Sequence, residues 1–203
     1  MSQVHGSLRA LSRRHVLAQA AAVAVPVLAI APRRAMANAQ RPDAVDATFW
    51  TVPRSLAAFN TNTGQSGDIL YWADGAYVME GFVALSRMMY DHHEGKAVQM
   101  QPAVFDLAWA AQRWYQMATG KRTWTRFTSG YRTARTNVLV GGAPGGMHPQ
   151  AAALDGRMDG VDLKTYAVML LAFNSGGVGL YEHHVHMDVG RPSRFWRGSY
   201  RES

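Results

Sequence analysis

The chain has 203 residues, of which 48% are apolar, 17% charged and none cysteine. That composition excludes a disordered chain and a disulfide scaffold, and it leaves His and carboxylates as the only strong metal donors. The formal net charge of +7 says little about nucleic acid, because residues 1–39 hold five Arg and no acid and leave 7 − 5 = +2 on the remainder, which shows no basic stripe with interleaved aromatics.

The N-terminus reads as an export signal. Arg9, Arg13 and Arg14 form a basic start, Val16 to Ala31 an apolar run, and Ala37-Asn38-Ala39 a small-x-small cleavage site before Gln40. The apolar run is shorter than the ~20 residues of a membrane span and is interrupted by Pro26, so no stable span is expected once the signal is removed. Ser12-Arg13-Arg14-His15-Val16-Leu17 resembles the twin-arginine export signal, which moves folded proteins to the periplasm. The absence of cysteine agrees with folding before export. Residues 40–54, with Pro42 and Pro53, read as a tether.

Ser55–Asn60 and Asp68–Trp72 read as strands joined by the polar turn Thr63-Gly64-Gln65-Ser66-Gly67. Val78, Phe82, Leu85 and Met89 recur at helical spacing and predict a helix over 77–91. A second helix starts at Pro102, turns Val104, Leu107, Ala108, Ala111 and Tyr115 to the core, and stops at Gly120. Trp124–Thr128 alternates as a strand. Asp162 is positioned to cap a third helix over Leu163–Phe173. After Asn174-Ser175-Gly176-Gly177, strands are expected at Val178–Tyr181 and His184–Val189, followed by a polar tail beyond Trp196. The whole predicts an α+β domain: a small, mainly antiparallel sheet with packed helices.

Three segments carry chemistry. In Glu182-His183-His184-Val185-His186-Met187-Asp188, strand alternation puts His184, His186 and Asp188 on one face and Val185 and Met187 on the other. His148 and Asp155 are separated by six uncharged residues. With His186 they make a two-His, one-carboxylate set that leaves the fourth tetrahedral position to water, as a catalytic zinc site requires. In Thr128-Ser129-Gly130-Tyr131-Arg132, an Arg just past a strand and a Gly turn is placed to hold an anionic or polarised group.

In this order and spacing, Ser129-Gly130-Tyr131-Arg132, His148-x6-Asp155 and Val185-His186-Met187-Asp188-Val189-Gly190 resemble the zinc D-Ala-D-Ala metallopeptidases of cell-wall metabolism, within them the murein endopeptidase K group. Leu56–Gly64, Tyr71-Trp72, Gly176–Gly179 and Trp196 extend the resemblance over roughly 55–196. It implies a hedgehog/D-Ala-D-Ala-peptidase-like fold over 55–203 and one zinc ion on His148, Asp155 and His186. It also implies that Arg132 steadies the substrate or the tetrahedral intermediate. For the general base it points to His184 or His183; Glu182 shares the parity of His184, and Asp188 is an alternative partner that orients a ligand. The implied activity is hydrolysis of murein stem peptides or their cross-bridges, as an endopeptidase or carboxypeptidase, with substrate carboxylates paired to Arg132 or Arg135. A non-catalytic wall-binding module and a metal-delivery protein are the competing readings. Two positions depart from the family pattern. Gly146 stands where a Ser is common and Ala151 where a Gly is common, and a positive φ at Ala151 would strain the backbone by ~1 kcal/mol or more. Asn137 belongs to the matching stretch without a role that the sequence assigns.

Overall fold

The computed structural model describes residues 48–198. The expected export signal, the first half of the expected tether and the last five residues of the tail lie outside the described residues. The later part of the tether is integral to the fold: Phe49 is buried in the core, edge-on to Trp109 at 5.3 Å.

Eight strands form one sheet: β1 (Arg54–Asn60), β2 (Ser66–Ala73), β3 (Ala76–Tyr77), β4 (Thr125–Ser129), β5 (Ala153–Met158), β6 (Gly177–Leu180), β7 (Val185–Asp188) and β8 (Arg194–Arg197). Among the described residues four helices accompany them: α1 (Met79–Met88), α2 (Pro102–Thr119), α3 (Ala134–Leu139) and α4 (Leu163–Ala172). The strand order is β3-β2-β1-β4-β5-β7-β6-β8. This corrects the expected small, mainly antiparallel sheet. The sheet is large and mixed, because β1 pairs parallel to β4 and β6 parallel to β8. Parallel neighbours need a crossover, which α1 and α2 supply between β1 and β4. Local turn signals report only hairpins, so they could not reveal either parallel pair.

The helices begin and end for identifiable reasons. Pro102 occupies the first turn of α2, where a missing N–H costs nothing. Gly120 ends it in the left-handed region at φ 71°. The Asp162 carboxylate accepts from the N–H groups of Lys164 and Thr165 and caps α4. On β7, Val185 and Met187 join the core, and the Tyr166 hydroxyl of α4 lies 3.9 Å from the Met187 sulfur. His186 and Asp188 therefore face the opposite side of the sheet. No helix among the described residues is long and apolar enough to cross a membrane.

Gln112 of α2 is buried at the seam of β1 and β4. Its side-chain carbonyl accepts from Ala57 N–H at 3.2 Å, and its amide donates to Ala57 C=O at 2.9 Å and to Thr125 Oγ1 at 2.8 Å. Gln112→Leu keeps the volume but leaves buried backbone groups unpaired, so it should cost about 2–3 kcal/mol. In urea denaturation the midpoint should fall with the slope unchanged; an unaltered midpoint would show that the seam does not need this residue.

Candidate metal centre

The site is assembled by strand register. Asp155 of β5 pairs with Ser129 of β4 on one side and with His186 of β7 on the other. Directly paired residues project to the same face, which brings the Asp155 carboxylate against the His186 ring, with Nδ1 2.8 Å from Oδ1. β5 was missed by sequence reading, because Asp155 and Gly156 are poor strand formers. Gly156 is nevertheless required there: a Cβ would stand 2.7 Å from the Arg126 carbonyl oxygen.

His148 arrives from a turn rather than a strand. The carbonyl oxygens of Met147 and His148 accept from the N–H groups of Ala152 and Ala151, both at 3.0 Å, and Gln101 N–H donates to Ala151 C=O at 2.8 Å. The turn requires φ of +55° at Ala151, the strained backbone that a Gly would relieve. His148 Nδ1 lies 2.6 Å from the Gly130 carbonyl oxygen and donates to it, which fixes the tautomer and leaves Nε2 as the acceptor facing the cluster. That atom is 3.2 Å from both His186 Nδ1 and Asp155 Oδ2.

His148, Asp155 and His186 are all buried, and each offers a ligand atom within 4.8 Å of the others. Behind His186, Asp188 Oδ2 lies 3.2 Å from Nε2, and the other Asp188 oxygen accepts from Gly177 N–H at 2.8 Å. Arg132 donates through Nη2 to Asp155 and through Nε to Ser129 Oγ, the latter at 2.8 Å.

Electrostatics follow from this packing. Burial holds His148 neutral by lowering its pKa. Burial also opposes ionisation of Asp155, but His148, His186 and Arg132 outweigh it and hold that carboxyl well below the usual range. For His186, burial is overcome by the hydrogen bonds to Asp155 and Asp188, and its pKa is pushed up to about 9. The cluster thus keeps an ionised carboxylate and collects positive charge where two imidazole nitrogens and one carboxylate oxygen converge. A divalent cation meets the same demand in place of the proton, so the donor set fits a metal ion of the zinc type.

The three candidate bases are separated by the structure. Glu182 and His183 form the exposed turn between β6 and β7, 3.7 Å from each other, and neither joins the cluster. His184 is half-buried and stacked on the Tyr181 ring, with centroids 4.6 Å apart and planes 13° apart. Burial lowers its pKa, while the charges of Asp155, His186, Arg132 and His148 all act on it.

Two buried residues hold the segment from Arg132 to His148. Asp91 accepts from Thr133 N–H at 2.9 Å, and from the N–H groups of His93 and Glu94. Asn137 donates to Ala143 C=O at 3.1 Å, and its backbone carbonyl accepts from Gly142 N–H. It therefore shapes the Gly-rich loop ahead of His148, a role the sequence did not assign.

Residues 49–196, most of the chain, match the family model described as peptidoglycan L,D-endopeptidase MepK. A probable peptidoglycan L,D-endopeptidase MepK of Haemophilus influenzae is 29% identical over 158 residues, which cover 72% of this chain and 80% of that protein. No solved structure matches. The chain belongs to the peptidoglycan L,D-endopeptidase family.

Two predictions follow from the supports. Ala151→Gly removes the left-handed strain of 1–2 kcal/mol but loosens the unfolded chain, so it should stabilise by about 0.5–1 kcal/mol, read as a higher urea midpoint. For Asp91, burial opposes ionisation, but the hydrogen bonds from Thr136, Thr133 and Glu94 lower its pKa to about 2 from 3.8. The folded value is below the unfolded one, so its contribution, on the order of 2 kcal/mol, is present above pH ~4 and lost as pH falls toward ~2. Asp91→Asn should flatten the stability profile in that window; an unchanged profile would contradict this.

Proposed function

We propose that this family member is a zinc-dependent endopeptidase that hydrolyses peptide cross-links between murein stem peptides in the periplasm, which it reaches by twin-arginine export. The observation that carries the reading is the convergence of His148, Asp155 and His186, buried and within 4.8 Å of one another, in a chain of a peptidoglycan peptidase family. The family description supports a bond between an L- and a D-configured centre. The export route is supported by the sequence over residues 12–17 and 37–39.

Zinc held by His148 Nε2, an Asp155 oxygen and His186 Nδ1 would supply Lewis acidity, acidifying water toward a pKa of ~7 and polarising a carbonyl. The chain's own groups do the rest. His184, kept neutral by burial, accepts the proton of the attacking water on a ring nitrogen and returns it to the leaving amine. Arg132, anchored to Asp155 and Ser129, directs its remaining N–H groups to the oxygen that gains charge. Asp188 holds the ring of His186.

Purified protein incubated with sacculi should release shorter muropeptides. Chelation should stop release and zinc restore it, and His186→Ala should abolish it. Arg132→Lys should lower kcat by ~10²–10³-fold, and His184→Ala by ~10²–10⁴-fold, whereas Glu182→Ala should leave kcat near the parent. Stoichiometric zinc and retained wall binding without cleavage would overturn the enzyme reading in favour of a binding module. Release of single C-terminal residues alone would make the protein a carboxypeptidase.

A further inference from the structure

Trp196, on the edge strand β8, ends a cross-strand row that contains the site. The register runs Ser129, Asp155, His186, Gly179 and Trp196 across β4, β5, β7, β6 and β8. Paired residues share a face, so Trp196 stands on the same side of the sheet as the cluster, one strand beyond Gly179 and two beyond His186. Gly179 is the only member of the row without a side chain, and the indole fills that space. A Cβ on Gly179 would stand 2.6 Å from the indole, and one on Gly177, two residues earlier on the same face, 2.8 Å from it. A side chain at Gly179 would displace the ring, and one at Gly177 would press on both the ring and the Asp188 carboxylate, whose Oδ2 would stand 2.6 Å away.

Seated there, the indole makes two contacts of consequence. It meets the His186 ring with centroids 5.3 Å apart, and its Nε1–H donates to the Tyr181 hydroxyl at 3.2 Å. Tyr181 in turn stacks on His184. The Arg194 guanidinium lies over the indole, 4.8 Å from its centroid, a cation–π contact that holds the ring to its own strand. Trp196 therefore touches His186 directly and reaches His184 through one intermediary.

We propose that Trp196 is a positioning residue whose indole, resting on the glycine face of β6, fixes the His186 ring toward Asp155 and, through Tyr181, the His184 ring beside it. The proposal rests on the metal-centre reading of the cluster. It gives Gly179 a reason, since it clears the seat of the indole, and Gly177 clears room for the indole and the Asp188 carboxylate together. It also makes β8 part of the site rather than a terminal edge.

The test compares zinc affinity, by competition with a chromophoric chelator, and the split of kcat against KM on purified cross-linked muropeptides, using the full chain. Trp196→Leu should weaken zinc binding roughly 10–100-fold, the usual effect of removing a group that orients a ligand, and lower kcat with KM little changed. Gly179→Ala should do the same with Trp196 still present, because its methyl displaces the ring. Trp196→Phe keeps an aromatic ring against His186 but loses the bond to Tyr181, so it should recover zinc affinity and only part of kcat. Phe195→Ala, on the opposite face of β8, should match the parent in both.

Zinc affinity in Trp196→Leu equal to the parent's, with the loss confined to KM, would overturn the proposal and make the indole a substrate platform. An equal loss in Phe195→Ala would overturn it by showing that β8 acts only through its folding. A parent chain that binds no zinc would instead remove the metal-centre reading itself.

Discussion

The antiparallel register of β5 and β7 is the constraint on which the site depends. It sets Asp155 opposite His186 and so buries a carboxylate against an imidazole, an arrangement that is costly unless each group is charge-paired and hydrogen-bonded. The surrounding residues meet that cost. His148 and Arg132 reach Asp155 from the other side, and Asp188 backs His186. A slip of one residue would turn His186 and Asp188 into the core and Met187 out of it. The apolar face of β7, packed under α4, therefore specifies the polar face as strictly as it specifies the core.

Everything around the register serves to bring two more groups to it. Arg132 follows β4 directly, while His148 comes from a loop that would be loose without Asn137 and without the strained turn at Ala151. Asp91 ties the segment after α1 to the start of α3, which fixes Arg132 from the rear. The strain at Ala151 belongs to this logic: the turn that presents Nε2 of His148 needs a left-handed residue, and the hydrogen bonds to Met147, His148 and Gln101 hold Ala there.

The legible part of the site was the part governed by local periodicity. Alternation over 184–188 placed His186 and Asp188 on one face and Met187 on the other, and Asp162 announced the start of α4. The resemblance brought His148, Asp155 and Arg132 into one picture, and the structure brings them together. What stayed hidden depends on partners distant in sequence. β5 carries Asp155 and Gly156, poor strand formers that only a central position in the sheet makes tolerable. α3 is six residues long and exposes Val138 and Leu139, so it has no amphipathic stripe to detect. β8 carries no strand signal of its own, because its partner β6 lies beyond the β6–β7 hairpin and pairs with it in parallel. Of the candidate bases, parity favoured His184 and also admitted Glu182; the turn at 182–183, invisible to parity, sends Glu182 into solvent.

The most direct test of the account is the anomalous scattering at the zinc edge from crystals of the protein grown with zinc. The account predicts one ion bound by His148 Nε2, an Asp155 oxygen and His186 Nδ1 at ~2.0–2.2 Å, with an open position toward His184. An ion held instead through His186 Nε2, or seated on the exposed pair His92-His93 or on His183-His184 with the buried cluster still joined by its own hydrogen bonds, would contradict it.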